Sequence, residues 1–224
     1  MSASSHSAST IPHGPYLHGD VLGDLLHSLS QPLTGLRCAL ELSLDLSPEE
    51  AAEHQQESVA VALTQTEKVI GMVQLMREYL DAEQPSEGAF SSALQSVLRN
   101  VIEELSWIAA VRDVQLRLMG SCTATVPLPE ARLRQALQYL ITDLIEAQPL
   151  GGSVILKLTD SPTGTSLCAN GESISPATSA PTSTLQRVKL AIATRVLESM
   201  GASLKFVDND IAPAGFVLHI PRRG

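Results

Sequence analysis

One histidine of the sequence stands in a segment that suits phosphoryl chemistry. His27 opens the stretch His-Ser-Leu-Ser-Gln-Pro-Leu, which covers residues 27–33. A neutral imidazole nitrogen is a nucleophile near pH 7, so His27 could accept a phosphoryl group. Pro32 removes the helical hydrogen bond to the carbonyl of Ser28 and is expected to bend a helix there, which costs stability. A bend beside an exposed imidazole is easier to explain by function than by packing, although an ordinary surface histidine is the alternative.

The element that must position His27 is predicted to be a long helix from about residue 20 to residue 45. Its leucines recur at alternating steps of four and three residues, the heptad pattern of a seam between helices. They are Leu22, Leu26, Leu29, Leu33, Leu36 and Leu40. Leu26 and Leu29 are predicted to face this seam. His27 lies one step past a seam position, so its side chain is predicted to point outward from the helix pair.

A second helix is predicted from Pro48 to about Ala82, with Ser47 as its N-cap. Its apolar residues continue a similar seam, with Thr66 in one gap: Val59, Leu63, Ile70, Val73 and Leu80. Two helices joined by a short turn form an antiparallel hairpin. One hairpin cannot bury both seams, whereas two hairpins paired as a four-helix bundle can, so the sequence predicts a homodimer.

The second half of the chain has a mixed periodicity. Residues 171–184 are predicted to form a mobile loop, and Gly201 to close the last helix. Helices that alternate with antiparallel hairpins predict an α/β sandwich with its helices on one sheet face. The fold class is therefore α+β, with a helical hairpin that forms a dimeric four-helix bundle followed by the sandwich. Helices are predicted over residues 90–110, 129–147 and 185–200, and strands over 114–118, 123–126, 153–159, 165–169, 203–207 and 215–220.

Composition limits the location and the partners of the protein. The patterns divide the chain into a disordered tail (1–18), the hairpin (19–82), a linker (83–88) and the sandwich (89–224). Fifteen basic and 24 acidic side chains give a net charge of −9, which argues against nucleic acid as a partner. The three scattered cysteines are predicted to be free thiols, and no metal site is predicted. No segment has the pattern of a secretory signal or a membrane span, so a cytoplasmic protein without a membrane partner is expected.

Two segments resemble motifs of the bacterial sensor histidine kinases. The segment that starts at His27 is similar to their phosphoacceptor box, a histidine followed by an acidic residue, Leu, Arg, a polar residue, Pro and Leu. Residues 133–152, Leu-Arg-Gln-Ala-Leu-Gln-Tyr-Leu-Ile-Thr-Asp-Leu-Ile-Glu-Ala-Gln-Pro-Leu-Gly-Gly, resemble their nucleotide-binding helix and the turn after it. The resemblance covers about residues 20–220. It implies a dimerisation and histidine-phosphotransfer hairpin with His27 as phosphoacceptor, followed by a GHKL-type ATPase fold.

The phosphoacceptor box differs from the family pattern at residue 28 and keeps a side chain of the same chemical type at residue 31. Ser28 replaces the acidic residue that is thought to act as base in the family, and this weakens the case for autokinase activity. Gln31 keeps a polar amide where the family often has Thr or Asn, at a position linked to dephosphorylation of the partner. The Gln31 amide could orient a water molecule.

The nucleotide motifs depart further. The family's metal-binding Asn falls on Asp143, which could still hold Mg²⁺. Its Asp-x-Gly-x-Gly motif falls on Ala169, Gly171 and Ser173, so the adenine-binding Asp and the second Gly are missing. The later Gly-x-Gly-Leu box falls on residues 187–190, Arg-Val-Lys-Leu, whose charges are interpreted as solvated on a helix surface. The resemblance thus implies no cofactor: neither ATP nor Mg²⁺ is expected to bind, with Asp143 as the one candidate ligand.

Three functions are compatible with this pattern. The first is a phosphorelay histidine phosphotransferase, in which His27 carries a phosphoryl group between aspartates of response-regulator receiver domains without ATP. The second is a pseudokinase scaffold that binds a regulator or a hybrid histidine kinase. The third is a divergent histidine kinase that lacks its own sensor, for which Asp143 is the best support. The layout of a dimeric His-bearing hairpin beside a nucleotide-free ATPase fold favours the first.

Overall fold

Two long helices form an antiparallel hairpin at the start of the described chain. The structure, a computed structural model, describes residues 21–45, 48–82, 84, 90–172, 183–209 and 212–222. Helix α1 covers Val21–Asp45 and helix α2 covers Pro48–Asp81. The predicted N-cap Ser47, the predicted tail and most of the predicted linker lie outside the described residues. Of the helices that are described, none is long and apolar enough to cross a bilayer.

The stripe of α1 that packs inside the hairpin is one residue away from the predicted seam. Its buried and half-buried members recur at steps of four and three: Val21, Leu25, Ser28, Pro32, Gly35 and Ala39. Leu26, by contrast, is 52% exposed, so the leucine seam lies outside the stripe that closes the hairpin. Ser, Pro and Gly in the inner stripe carry little hydrophobic signal, and the pattern of leucines therefore drew attention to the outer stripe. A helix of a bundle has two contact stripes, and α1 has both.

The rest of the chain forms an α/β sandwich. Among the described residues, the main sheet has five strands in the order β2-β4-β5-β7-β6, and a small sheet pairs β1 with β3. The elements are β1 (Ser92–Ala93), α3 (Leu94–Val111), β2 (Gln115–Met119), β3 (Thr125–Val126), α4 (Glu130–Ala147), β4 (Ser153–Ser161), β5 (Gly164–Glu172), α5 (Thr184–Ser199), β6 (Ser203–Asn209) and β7 (Ala212–Pro221).

Several local predictions needed correction. Residues 90–93 are not helical, because Ser92 and Ala93 pair with β3 and the helix begins only at Leu94. Strand β5 continues to Glu172 and α5 begins at Thr184. Residues 171, 172 and 184 of the predicted loop 171–184 therefore belong to a strand or a helix. Strands β2 and β4 are parallel, because α4 crosses over between them. The other neighbours in the main sheet are antiparallel.

Helix α5 ends as the sequence predicts. Gly201 has φ of 85°, a left-handed conformation that suits glycine. Its N–H donates to the carbonyl of Glu198 at 2.8 Å, and the N–H of Ala202 donates to that of Leu197 at 3.3 Å. This pair of bonds satisfies carbonyls that a helix end otherwise leaves without partners.

One apolar core joins the sandwich to the hairpin. Alternate residues of the central strands, such as Leu156 and Leu167, are fully buried against α4 and α5 on one sheet face. The same cluster of buried residues continues into α1 and the end of α2, where it includes Val21, Leu25, Leu75, Tyr79 and Ala82. The sandwich therefore packs directly against the base of the hairpin, next to the segment that carries His27.

Candidate functional site

His27 lies on the exposed surface of α1, as the sequence predicts. Ser28, the next residue, is half-buried on the inner stripe, while Gln31 is exposed one turn further along. Pro32 is buried inside the helix and has no N–H, so the carbonyl of Ser28 lacks its helical donor. The imidazole is thus open to a partner, and the residue expected to deform its helix faces the hairpin interior.

A groove next to this segment is built from three helices. It has a volume of about 330 Å³, and its walls come from α1, α2 and the start of α5. Ser28, Gln31 and Pro32 form the α1 wall, and Gln65 and Lys68 lie opposite on α2. The groove brings Ser28 and Gln31 together, whereas His27 is exposed beside it and is not one of its lining residues.

The α5 wall of the groove is fixed by a capping box, in which the first and fourth residues of a helix start bond to each other. Gln186 N–H donates to Ser183 Oγ at 3.2 Å, and Ser183 N–H donates to Gln186 Oε1 at 3.0 Å. Gln186 Nε2 also donates to Glu146 Oε2 at 2.8 Å, which ties the first turn of α5 to α4. These bonds fix the first turn of α5, where Thr184 and Leu185 line the groove together with Ser28 and Gln31 of α1.

Sequence reasoning missed this wall. It assigned residues 183 and 184 to a loop and named none of Gln65, Lys68 or Leu185. The Ser-x-x-Gln pattern at 183–186 was the available signal, because this spacing marks a helix start. Gln65 and Lys68 gave no signal, since only the folded hairpin brings α2 opposite Ser28.

The positions that the resemblance assigns to the metal ion and the adenine ring lie on α4 and β5. Ala169 is fully buried on the helix-facing side of β5, and Gly171 is two residues further on the same side. The side-chain amide of Gln148 covers Gly171 so closely that a Cβ atom there would overlap it. Gln148 Nε2 donates to the carbonyl of Leu144 at 3.2 Å. The place next to Gly171 is thus filled by the chain's own side chain, while Ser173 lies outside the described residues.

Asp143 is half-buried on α4. Burial, together with the nearby charge of Glu146, raises the pKa of its carboxyl from 3.8 to about 6. Mg²⁺ prefers an octahedral set of oxygen ligands that includes carboxylates. Within the part of the chain that the structure describes, no group of three or more His, Cys, Asp or Glu residues could hold a metal ion.

Arg187 and Lys189 are not solvated helix charges. The guanidinium of Arg187 forms an ion pair with Asp24 of α1 at 3.0 Å. The ammonium of Lys189 lies 5.7 Å from the centroid of the Tyr139 ring. Both side chains are half-buried because α5 faces the hairpin, and the interpretation from the sequence is therefore wrong at both positions.

Sequence comparisons give no family, whereas the fold has clear counterparts. No protein-family model matches the chain, and no curated protein matches it either. The histidine kinase AdeS of Acinetobacter baumannii is similar with a TM-score of 0.64 and 18% identity, over 87% of this chain and 97% of that one. A histidine kinase from Burkholderia phymatum STM815 gives 0.50 and 16%, over 89% and 98%.

A third structural relative was solved with a partner. Histidine kinase ThkA, in complex with response regulator protein TrrA, has a TM-score of 0.63 and 15% identity, over 92% of this chain and 62% of that one. The chain thus has the α+β fold of the histidine kinases, a hairpin of their dimerisation type followed by an ATPase-type sandwich. This confirms the predicted α+β class and the predicted order of hairpin and sandwich.

Proposed function

We propose that the protein is a histidine phosphotransferase of a two-component phosphorelay. His27 receives a phosphoryl group from the aspartate of one response-regulator receiver domain and passes it to another without ATP. The observation that carries this proposal is the exposed imidazole of His27 on a histidine-kinase-type hairpin, beside a groove to which both the hairpin and α5 contribute. The relative ThkA, whose structure includes a response regulator, supports this class of partner.

The chemistry needs only a neutral imidazole and a phosphorylated aspartate. One ring nitrogen of His27 attacks phosphorus as the bond between phosphorus and the aspartate oxygen breaks, and the carboxylate leaves. The proton on the other ring nitrogen passes to water, which leaves a phosphohistidine with a neutral ring and an anionic phosphoryl group. The second transfer reverses these steps on another receiver. The phosphorylated aspartate supplies the free energy, so the step requires neither a base at Ser28 nor a nucleotide.

The filled nucleotide positions support a route without ATP. Ala169 offers no carboxylate for an adenine amino group, and the Gln148 amide occupies the space over Gly171. Arg187 and Lys189 stand where glycines would let a phosphate approach the backbone. We therefore propose that the sandwich has kept the fold of an ATPase while its own side chains fill the place of the ligand.

A second copy of the chain is proposed to cover the outer stripe of the hairpin. Apolar residues at heptad spacing on both helices are between 45% and 60% exposed, far more than an apolar seam tolerates in a stable monomer. Two such stripes would bury each other in a four-helix bundle. The stripe consists of Leu26, Leu33, Leu40, Val59, Leu63, Ile70, Val73 and Leu80.

A phosphotransfer assay tests the function. The protein is incubated with receiver domains from the same genome that were labelled with radioactive acetyl phosphate, and separately with radiolabelled ATP and Mg²⁺. We expect acid-labile label from the receivers only, and none on a His27→Ala variant. His219→Ala is the matched control, since His219 is half-buried on the opposite face of the sheet.

The other outcomes identify the other functions. Label that reaches His27 from ATP alone would establish a divergent kinase and would contradict the account of Ala169 and Gly171. A receiver that binds without any transfer of label would instead support the pseudokinase scaffold, which the serine at position 28 favours.

A further inference from the structure

The two side chains that stand at the family's phosphate-binding glycines both connect α5 to the hairpin. Arg187 Nη2 lies 3.0 Å from Asp24 Oδ2 on α1. Lys189 lies over the ring of Tyr139, at a distance typical of a cation–π contact. The Tyr139 hydroxyl in turn donates to Glu78 Oε2 on α2 at 2.6 Å. Each of the two positions thus leads, directly or through one aromatic ring, to one helix of the hairpin.

Two further arginines strengthen the same interface. The guanidinium carbon of Arg195 lies 3.9 Å from the centroid of the Tyr79 ring on α2. Arg132 of α4 donates to the carbonyls of Asp81, Ala82 and Gln84 at the end of α2, at 2.8, 3.1 and 3.0 Å. Individual polar contacts at partly exposed sites contribute little. Grouped at the start of α1 and the end of α2 and added to the shared apolar core, they define one orientation of the sandwich on the hairpin.

This interface lies directly beside the phosphoacceptor. Asp24 and His27 are three residues apart on α1, and residues at this spacing are neighbours on a helix surface. Arg187 is also close in the chain to Ser183–Leu185, which form one wall of the groove next to Ser28 and Gln31. The ion pair with Asp24 therefore joins α5 to α1 within one helical turn of His27.

We propose that Arg187 and Lys189 are positioning residues, which hold the start of α5 beside His27 so that a receiver domain meets a preformed surface. This inference rests on the proposed phosphotransfer function. A surface that is already ordered loses less conformational freedom when a partner docks. If this surface becomes less ordered, the affinity for the receiver should fall, whereas the rate of the chemical step should change little. The substitutions at the two glycine positions thus have a role of their own, in addition to the loss of a nucleotide site.

Charge exchange across the ion pair tests this role. Arg187→Glu and Asp24→Arg are each expected to raise the KM for a phosphorylated receiver about fivefold, the upper range for a partly exposed ion pair. The kcat should stay within about twofold, because His27 is untouched. The double variant, in which the two charges are exchanged, should restore the native KM, and Arg187→Lys should keep most of it.

Hydrogen exchange of the backbone amides provides a second readout. The first turns of α5 should exchange faster in either single variant and at the native rate in the double variant. Arg134→Glu is the matched control, because its ion pair with Glu104 at 3.4 Å is similarly exposed but joins two helices within the sandwich. This control should change neither the KM nor the exchange rate of α5.

Three results would overturn the inference. Single variants with native KM and native exchange would show that the ion pair does not hold α5, and a double variant that restores neither would show that the pairing is irrelevant. A native protein that takes up no phosphate from any receiver would remove the phosphotransfer function and this role with it. In that case the exchange rates would still decide whether the ion pair fixes the orientation of the sandwich.

Discussion

Asp143 should lower the stability of the protein at neutral pH, and its replacement should raise it. Burial and the neighbouring Glu146 raise the pKa of this carboxyl from 3.8 to about 6 in the folded protein. Folding therefore favours the protonated form. Below pH 3.8 the group is protonated in both states and costs nothing. As the pH rises through 6 the folded protein must carry an unfavourable charge, and stability is lost.

The size of this effect follows from the two pKa values. The difference between 3.8 and about 6 corresponds to about 3 kcal/mol. Relaxation around the charge reduces it, so we expect Asp143→Asn to increase the free energy of unfolding by between about 1 and 3 kcal/mol at pH 7.5. At pH near 4 most of this gain should disappear, because the native carboxyl is then largely protonated in the folded state.

Urea unfolding followed by far-ultraviolet circular dichroism measures this difference at both pH values. Glu103→Gln is the control, since Glu103 is exposed on α3 and its replacement should change stability little at either pH. An Asp143→Asn variant that is less stable than the native protein at pH 7.5, or a gain that is equal at both pH values, would refute the reasoning. Asp143 would then have a favourable partner in the folded protein.

Three further predictions address packing and capping. Leu25→Ala should lower the free energy of unfolding by about 2–5 kcal/mol at any protein concentration. Leu26→Ala, on the outer stripe, should mainly raise the dissociation constant of the proposed dimer, measured by sedimentation equilibrium. Equal effects of the two variants in both assays would contradict the assignment of the two stripes. Gly171→Ala should lower the free energy of unfolding by about 1–3 kcal/mol, measured with urea. Adding Gln148→Ala should restore most of this loss, because the overlap is with the Gln148 side chain. A double variant as unstable as Gly171→Ala would contradict this explanation. Ser183→Ala removes the helix cap and should lower the free energy of unfolding by about 1 kcal/mol. Amide hydrogen exchange should become faster in the first turn of α5 only. Unchanged exchange in that turn would argue against the capping box.

Local patterns predicted the parts of the fold that depend on local physics. Helix α4 was expected over 129–147 and covers Glu130–Ala147, because its apolar residues recur at helical spacing over several turns. The end of α5 at Gly201 follows from the conformational freedom of glycine. Strand β1, in contrast, has two residues and forms only because β3 is present to pair with it. No local pattern distinguishes such a strand from the start of a helix.

The sequence predicted the site residues that belong to a motif. It did not predict the residues whose role depends on contact with another helix. The exposure of His27 followed from its place relative to the leucine seam. The roles of Arg187 and Lys189 did not, since they depend on how α5 meets a hairpin more than 100 residues earlier in the chain. The inner stripe of α1 was missed for a chemical reason, because Ser28, Pro32 and Gly35 pack by shape and small size rather than by hydrophobicity.

The apolar cluster shared by hairpin and sandwich has a consequence for how the protein unfolds. Tyr79 and Leu25 lose their buried surroundings if either part opens, so neither part can melt while the other keeps its full stability. Heat or denaturant should then produce a single cooperative transition for the described chain rather than two. A fragment that contains only the hairpin would expose these side chains to water and would be prone to aggregate. The structural unit is therefore the hairpin and the sandwich together.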